Sequence, residues 1–290
     1  MKHLTIISGK GGTGKTTITA ALASLATNHV MVDADVDAAD LHLILNPSVL
    51  REEPFYGGQV PVLDNEHCTE CGLCMESCRF DAIKNASKRF LIDYLACEGC
   101  GFCVHVCPVQ AITMQEHRCG TWFISETRFG PLVHAQLGIA EENSGKLVHA
   151  VRQQARSLGE EKGKDLIIID GPPGIGCPVI ASITGVDLVL VVTEPTLSGI
   201  HDLQRVVGVA RHFSVPAIVC VNKADISPEN TGMIRQFCAA NGLEIATEIP
   251  YEPLVTKAMV AGQTVIEYRP DVMISSKIRM LWETIRKALA

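Results

Sequence analysis

The sequence predicts an α/β protein in which a parallel sheet, covered on both faces by helices, is interrupted by a small cysteine-rich insertion. Two observations predict it. Apolar runs at residues 4–7, 30–32, 166–169, 188–192 and 217–221 alternate with helical stretches at 16–26, 146–158, 200–213 and 233–240. Strands that are apolar at every position are buried on both faces, as in parallel sheets. The second observation is an internal duplication. Residues 68–84 and 97–113 align without a gap, sharing Cys-Gly at 71–72 and 100–101 and Ala-Ile at 82–83 and 111–112.

The elements follow in order. Residues 4–7 form a strand that runs into a glycine loop, and 16–26, rich in Ala and Leu, form the helix after it. Residues 30–32 form a second strand ending at Asp33. From 46 to 67 the pattern breaks up, punctuated by Pro47, Pro54, Gly57, Gly58 and Pro61. The cysteine repeat comes next, and after Gly120 the strand–helix alternation resumes. Residues 121–145 show no clear period and are assigned no element. The expected organisation is 1–55 and 121–290 as one domain, with 56–120 inserted into it.

Composition limits the function classes. The chain has 290 residues, 47% of them apolar and 20% charged, enough for a full core. A net charge of -7 argues against a nucleic-acid partner, which usually meets a basic surface. The longest apolar run, 186–192, is too short to cross a bilayer. No secretory leader is expected, because residue 4 already begins a strand. Asn85-Ala86-Ser87 matches a glycosylation sequon and carries no weight without secretion. Twelve cysteines in such a chain point to metal or redox chemistry in a cytoplasmic setting.

Residues 9–16 read G-K-G-G-T-G-K-T, between a strand and a helix. That context marks a phosphate-binding loop. The backbone N–H groups of Gly11, Gly12, Thr13, Gly14, Lys15, Thr16 and Thr17 are expected to face a nucleotide's phosphates. Lys15 is expected to neutralise the β- and γ-phosphates, and the Thr16 hydroxyl to ligate Mg2+. Asp33 and Asp170 each end an apolar strand, where a carboxylate can hold Mg2+ or its water shell.

Cys68, Cys71, Cys74 and Cys78 read C-x2-C-x2-C-x3-C. Cys97, Cys100, Cys103 and Cys107 repeat the spacing, with Pro108 after the last. This is the bacterial two-cluster ferredoxin pattern, whose fourth cysteine ligates the other run's cluster. The expected sets are Cys68, Cys71 and Cys74 with Cys107, and Cys97, Cys100 and Cys103 with Cys78. Zinc is the alternative for C-x2-C pairs, and two consecutive runs of four favour two [4Fe–4S] clusters. Arg79 stands where the first run usually carries Pro. Cys220, Cys238 and Cys119 read as structural thiols. The ten histidines show no ligand-type pairing with cysteine, and His201 reads as a surface or capping residue.

The G-K-G-G-T-G-K-T loop, Asp33-Ala34-Asp35 and Asp170-Gly-Pro-Pro-Gly together resemble the MinD/ParA/Mrp ATPases, the nitrogenase iron protein among them. The resemblance covers the chain outside the cysteine repeat. It implies a MinD-like P-loop NTPase fold with a deviant Walker A loop and an inserted ferredoxin-like α+β domain. It also implies an ATP-dependent homodimer in which Lys10 reaches the partner's nucleotide, and Asp35 as the residue that orients or activates the attacking water. Asp37 and Asp40 are alternatives to Asp35. Residues 171–176 correspond to a second switch. Asn222 and the turn at Ile249-Pro250 correspond to the base pocket, which favours ATP, while Asn222-Lys223-Ala224-Asp225 also matches the guanine-reading N-K-x-D. Cys177 lies at the offset of a cluster-ligating cysteine in the nitrogenase iron protein, so a metal or transferred cluster near a dimer axis is one reading and a half-buried thiol the other.

The expected function is ATP hydrolysis with Mg2+, coupled through homodimer switching either to electron transfer through two [4Fe–4S] clusters or to assembly of clusters for an acceptor protein. A MinD/ParA-type positioning switch is the alternative, and an ATP-dependent ligase a weaker one. Ile274, Ile278, Leu281 and Ile285 at helical spacing read as a final helix packed on the sheet rather than a membrane tail.

Overall fold

The computed structural model describes residues 1–290 except Lys88, Ile139, Ala140, Glu142 and Asn143. The chain divides into two compact units. One comprises Met1–Glu53, Trp122–Gln136 and Ser144–Ala290, and the other Pro54–Thr121 and Leu137–Asn143. The sequence boundaries had left residues 137–143 with the larger unit. The structure puts them in the smaller one, where the Gly138 N–H donates to the Cys119 carbonyl at 2.8 Å.

Strand β1 (Lys2–Ser8) leads into helix α1 (Lys15–Leu25), followed by β2 (His29–Asp33) and α2 (Leu41–Leu45). Strand β3 (Ser48–Leu63) carries the chain into the smaller unit, which holds α3 (Leu73–Glu76), β4 (Ile83–Asn85), β5 (Phe90–Ile92) and α4 (Phe102–Val106). Strand β6 (Ile112–Thr127) carries it back. Then come β7 (Gly130–Leu137), α5 (Ser144–Glu161), β8 (Leu166–Pro173), α6 (Cys177–Ile183), β9 (Leu188–Thr193), α7 (Leu197–His212), β10 (Ala217–Asn222), α8 (Pro228–Ala240), β11 (Glu244–Ile249), α9 (Leu254–Val260), α10 (Val265–Tyr268) and α11 (Met273–Leu289).

The main sheet has the order β11-β10-β9-β1-β8-β2-β7-β6-β3. Every ladder from β11 to β7 is parallel. Side chains alternate between faces along each strand. On one face Leu4, Ile6, Ile168, Leu190, Val192, Ile218 and Cys220 pack with Ile18, Ala21 and Leu22 of α1 and with the apolar stripe of α11. The other face is covered by α5, α6 and α7. Both faces are buried, so the strands read as unbroken apolar runs.

Two stretches the sequence left without elements are strands. Residues 48–63 form β3 despite Pro54 and Pro61, because β3 ends the sheet order, and an edge strand can carry proline where no ladder N–H is needed. Within 121–145 lie the end of β6, all of β7 and the first residues of α5; residues 139, 140, 142 and 143 lie outside the described ones. The sixteen residues of β6 alternate weakly between faces, so no period stands out.

In the smaller unit, α3 and α4 each start after the Cys-Gly of their repeat, and β4 and β5 pair antiparallel with Ile83 opposite Ile92. Cys74, Ile83, Phe90 and Ile112 form its core, with Cys68, Cys78, Cys103 and Cys107 packed around them.

Helix α11 completes the core of the larger unit. Ile274, Ile278, Leu281, Trp282 and Ile285 are all buried. No described helix is long and apolar enough to cross a membrane. Leu281→Ala is expected to cost about 2–5 kcal/mol in chemical denaturation of the nucleotide-free protein, by lost burial and a residual cavity. Arg286→Ala on the exposed face should stay within about 0.5 kcal/mol of wild type.

Candidate functional site

The parallel strands bring their carboxyl ends to one edge of the sheet, where a ligand crevice forms in open α/β folds. β1 delivers the glycine loop, β2 Asp33, β8 Asp170, β9 Glu194, β10 Asn222, and β11 the Ile249-Pro250 turn. A cleft of about 670 Å3 opens there. Gly11, Gly12, Thr13, Gly14, Lys15, Thr16, Thr17, Asp35, Asp37, Asp40, Asn222 and Pro250 line it.

The loop ends at Gly14, which caps α1 in the left-handed region at φ 88°. A side chain there would be strained and would also collide with the Asn222 amide. That amide donates from Nδ2 to the Thr13 carbonyl at 2.8 Å, tying β10 to the loop. Thr13 is 2% exposed, yet its Oγ1 has no hydrogen-bond partner among the described residues. A buried hydroxyl without a partner is costly, and in a cleft wall it fits an incoming phosphate oxygen.

Lys15 is the buried cation of the site. Its Nζ lies 3.2 Å from Asp170 Oδ1 and 3.5 Å from Asp35 Oδ2. Burial works against its charge, but Asp170, Asp35 and Asp33 together hold its pKa above the ordinary lysine value. Asp170 also accepts from the Thr16 hydroxyl at 2.7 Å and the Thr19 hydroxyl at 2.9 Å. A magnesium ion would find Thr16 and Asp170 already paired as oxygen donors.

Asp33 is completely buried. Its oxygens accept the Asp35 N–H at 3.2 Å and the Leu41 N–H at 3.0 Å, which fastens the acidic loop between them. Burial first, and then the neighbouring Asp170, push its carboxyl well above the usual range. Asp35 is raised to about 6, by burial and by Asp170 against the opposing pull of Lys15.

Lys10 does not line the cleft. Its Nζ lies 2.6 Å from Glu194 Oε1 and within hydrogen-bond reach of the Thr196 and Ser198 hydroxyls. Glu194 also takes Lys223 at 2.9 Å, and Lys223 donates to the Gly12 carbonyl at 3.0 Å. Burial would raise the Glu194 carboxyl, yet the two lysines hold it below its ordinary value. Sequence reasoning missed Glu194, although it stands just past an all-apolar strand as Asp33 and Asp170 stand at the ends of theirs. It also missed Tyr251, Val255 and Met259, which line the cleft beside Pro250.

Asp225, the residue that kept a guanine reading open, does not line this cleft. It accepts the Tyr251 N–H at 2.6 Å, which shapes the turn after β11. Gly171, at the start of the expected second switch, packs against β1, where a Cβ would lie 2.9 Å from the Ile6 carbonyl oxygen. His201 is exposed on α7, which Thr196 caps through its side chain.

The cysteines fall into two groups in the smaller unit. Cys68, Cys71, Cys74 and Cys107 line one small hollow of about 10 Å3. Cys78, Cys97, Cys100 and Cys103 line another of about 390 Å3, which Arg79 also borders. Four thiols around an apolar hollow are a donor set that fits a cubane iron–sulfur cluster. Cys220 and Cys238 are buried in the core. Cys177 is exposed at the start of α6.

This fold and this glycine loop define a P-loop nucleotide-binding protein. Residues 4–265 match the CobQ/CobB/MinD/ParA nucleotide binding domain, and the chain belongs to that family as a P-loop ATPase. An uncharacterised protein of Methanocaldococcus jannaschii is 36% identical over 231 residues, 78% of this chain and 80% of that protein. A cytosolic Fe–S cluster assembly factor, the NUBP1 homolog of Caenorhabditis elegans, is 27% identical over 43% of this chain and 46% of its own length. The septum site-determining protein MinD of Pyrococcus horikoshii, solved with Mg-ADP, superposes with a TM-score of 0.60 over 99% of this chain and 96% of that one, at 18% identity, a likeness of fold.

Asp35→Asn tests the electrostatics. A carboxyl whose folded pKa is raised to about 6 destabilises the folded state once it ionises, and that penalty fades as pH falls through 6 toward the unfolded value. The variant is therefore expected to melt higher than wild type in the nucleotide-free protein, by a larger margin at pH 7.5 than at pH 5. An equal margin at both pH values would contradict the shift.

Proposed function

We propose that this ATPase couples nucleotide-driven homodimer switching to two [4Fe–4S] clusters in its cysteine-rich unit. The output is electron transfer to an acceptor protein or assembly of a cluster or metallocofactor for it. The observation that carries the reading is the crossed grouping of eight cysteines around two cavities, within a chain whose other unit is a MinD-family ATPase. The likeness to a relative named as a cytosolic Fe–S cluster assembly factor supports the iron–sulfur link.

In this reading the loop N–H groups from Gly11 to Thr17 hold the phosphates. Lys15 neutralises them, and Thr16, Asp33 and Asp170 position Mg2+. Asp35 sits 3.5 Å from the Lys15 ammonium in the cleft wall and orients the attacking water. Phosphoryl transfer needs positioning and charge more than covalent chemistry, so this short set suffices. Asn222 and Pro250 border the base, and the placement of Asp225 on the Tyr251 backbone favours adenine over guanine. Lys10, held by Glu194, is the residue that reaches a partner subunit's nucleotide once the dimer closes.

A [4Fe–4S] cluster supplies a one-electron couple whose potential follows net charge, hydrogen bonding and exposure. The chain contributes the thiolates, the apolar packing of Ile83, Phe90 and Ile112, and the Arg79 cation beside one set. Closure of each set by a distant cysteine favours electron transfer over release of the cluster. Cys177 is a candidate contact for a transferred metal or cluster.

Two measurements test the reading. Cys78→Ser and Cys107→Ser should each remove about half of the iron from anaerobically prepared protein, while retention of all iron in both variants would refute the ligand sets. Lys15→Ala should abolish Mg-ATP binding. Lys10→Ala should leave binding nearly intact and abolish ATP-dependent dimerisation in analytical ultracentrifugation, and a Lys10→Ala protein that still dimerises would remove the trans role.

A further inference from the structure

We propose that His117, Cys119 and Glu141 form a third metal site in the smaller unit, one that binds a divalent transition ion, Zn2+ by preference. It is separate from the eight cluster cysteines. One ligand atom from each of the three residues lies within 4.8 Å of the others. Tetrahedral zinc, with bonds of about 2.0–2.3 Å, sets its donors roughly 3.3–3.8 Å apart. The constellation needs only side-chain adjustment to close on an ion.

The backbone builds this arrangement. His117 and Cys119 are two residues apart on β6, so both side chains stand on one face of the strand. Glu141 comes from the segment after β7. There the Gly138 N–H donates to the Cys119 carbonyl at 2.8 Å, and the Glu141 N–H donates to the Gly138 carbonyl at 3.2 Å. Glu141 meets the strand through its side chain, with its Oε1 2.8 Å from His117 Nε2. A side chain at position 138 would crowd both partners: a Cβ would lie 2.8 Å from Glu141 Cγ and 3.2 Å from the Cys119 carbonyl oxygen.

The donor set selects the ion. One imidazole, one thiolate and one carboxylate suit a borderline cation such as Zn2+, whereas Mg2+ and Ca2+ take oxygen ligands alone. Binding displaces the Cys119 thiol proton to solvent. Cys119 is 2% exposed, while the His117 and Glu141 side chains are 31% and 23% exposed. The thiolate therefore forms the floor, and the imidazole and carboxylate form a solvent-facing rim. Three protein ligands leave a fourth position open to water or to a donor from another molecule, as in zinc sites that exchange a ligand. The H-x-C spacing of His117-Arg118-Cys119 falls outside the usual x2–x5 ligand motifs and works here because the residues lie on a strand.

The test uses the full chain with its clusters loaded under anaerobic conditions. The protein is dialysed to equilibrium against micromolar free Zn2+, and zinc and iron are counted by mass spectrometry. Wild type is expected to take up one zinc per chain with its iron unchanged. Glu141→Gln and Cys119→Ser are each expected to weaken zinc binding by about tenfold or more, with iron again unchanged, since even outer-sphere partners of a metal are worth about that much. Glu141→Gln alters a partly exposed side chain and keeps the fold, so its result stands even if Cys119→Ser folds poorly. The proposal is overturned if wild type takes up no zinc, if Glu141→Gln binds zinc as wild type does, or if zinc enters only as iron leaves, which would place it on the cluster cysteines.

Discussion

Around the Lys15 ammonium, buried at the carboxyl edge of the sheet, three carboxylates from three different elements converge. Asp33 ends β2, Asp170 lies in β8, and Asp35 opens the loop after β2. One cation cannot balance two buried carboxylates and a half-buried third. Burial first, and the neighbouring Asp170 after it, push the Asp33 and Asp35 carboxyls up toward the neutral form. A divalent cation beside Thr16 favours their ionised forms and so draws on a charge deficit the fold has already built. Removing the Lys15 cation from such a network leaves buried carboxylates without compensation, which costs about 3–5 kcal/mol. The parallel sheet is what makes the convergence possible, because it carries all its strand ends to the same edge.

A second charge arrangement lies beside the first. Glu194 holds both Lys10 and Lys223, and Lys223 reaches the Gly12 carbonyl of the phosphate loop. The two loop lysines are thus treated differently. Lys15 is enclosed among carboxylates that face the cleft. Lys10 is only partly buried and held by an acid and two hydroxyls on a neighbouring turn, contacts that a different partner can replace. This difference gives physical content to the proposed division between a lysine that serves its own nucleotide and one that serves a partner's.

Much of this was legible in the sequence, and the reasons differ by feature. The central strands announced themselves because a sheet buried on both faces tolerates only apolar residues, as in 188–192. The loop was legible because close backbone approach to phosphates needs glycine at fixed positions, and the cysteine grouping because the repeat spacing is distinctive. Strand β3 was hidden, since an edge strand can carry the very prolines that usually break a strand. Glu194 was hidden because nothing local marks an acid whose partners, Lys10 and Lys223, lie 184 and 29 residues away. The His117, Cys119 and Glu141 cluster was hidden twice over: its strand spacing is unlike a helix or loop motif, and its third member lies 22 residues beyond Cys119 in the sequence. Side chains paired across elements are set by tertiary contacts, which periodicity along one segment does not encode.

The proposed coupling requires that nucleotide state be felt at the cysteine-rich unit. The direct measurement is an anaerobic redox titration followed by electron paramagnetic resonance, with and without Mg-ATP, with iron counted after desalting. Coupling predicts two [4Fe–4S] signals and a nucleotide-dependent change, either a shifted potential with iron retained, as electron transfer requires, or iron lost, as cluster delivery requires. Unchanged potentials and unchanged iron would contradict it, leaving an ATPase whose clusters do not respond to its nucleotide.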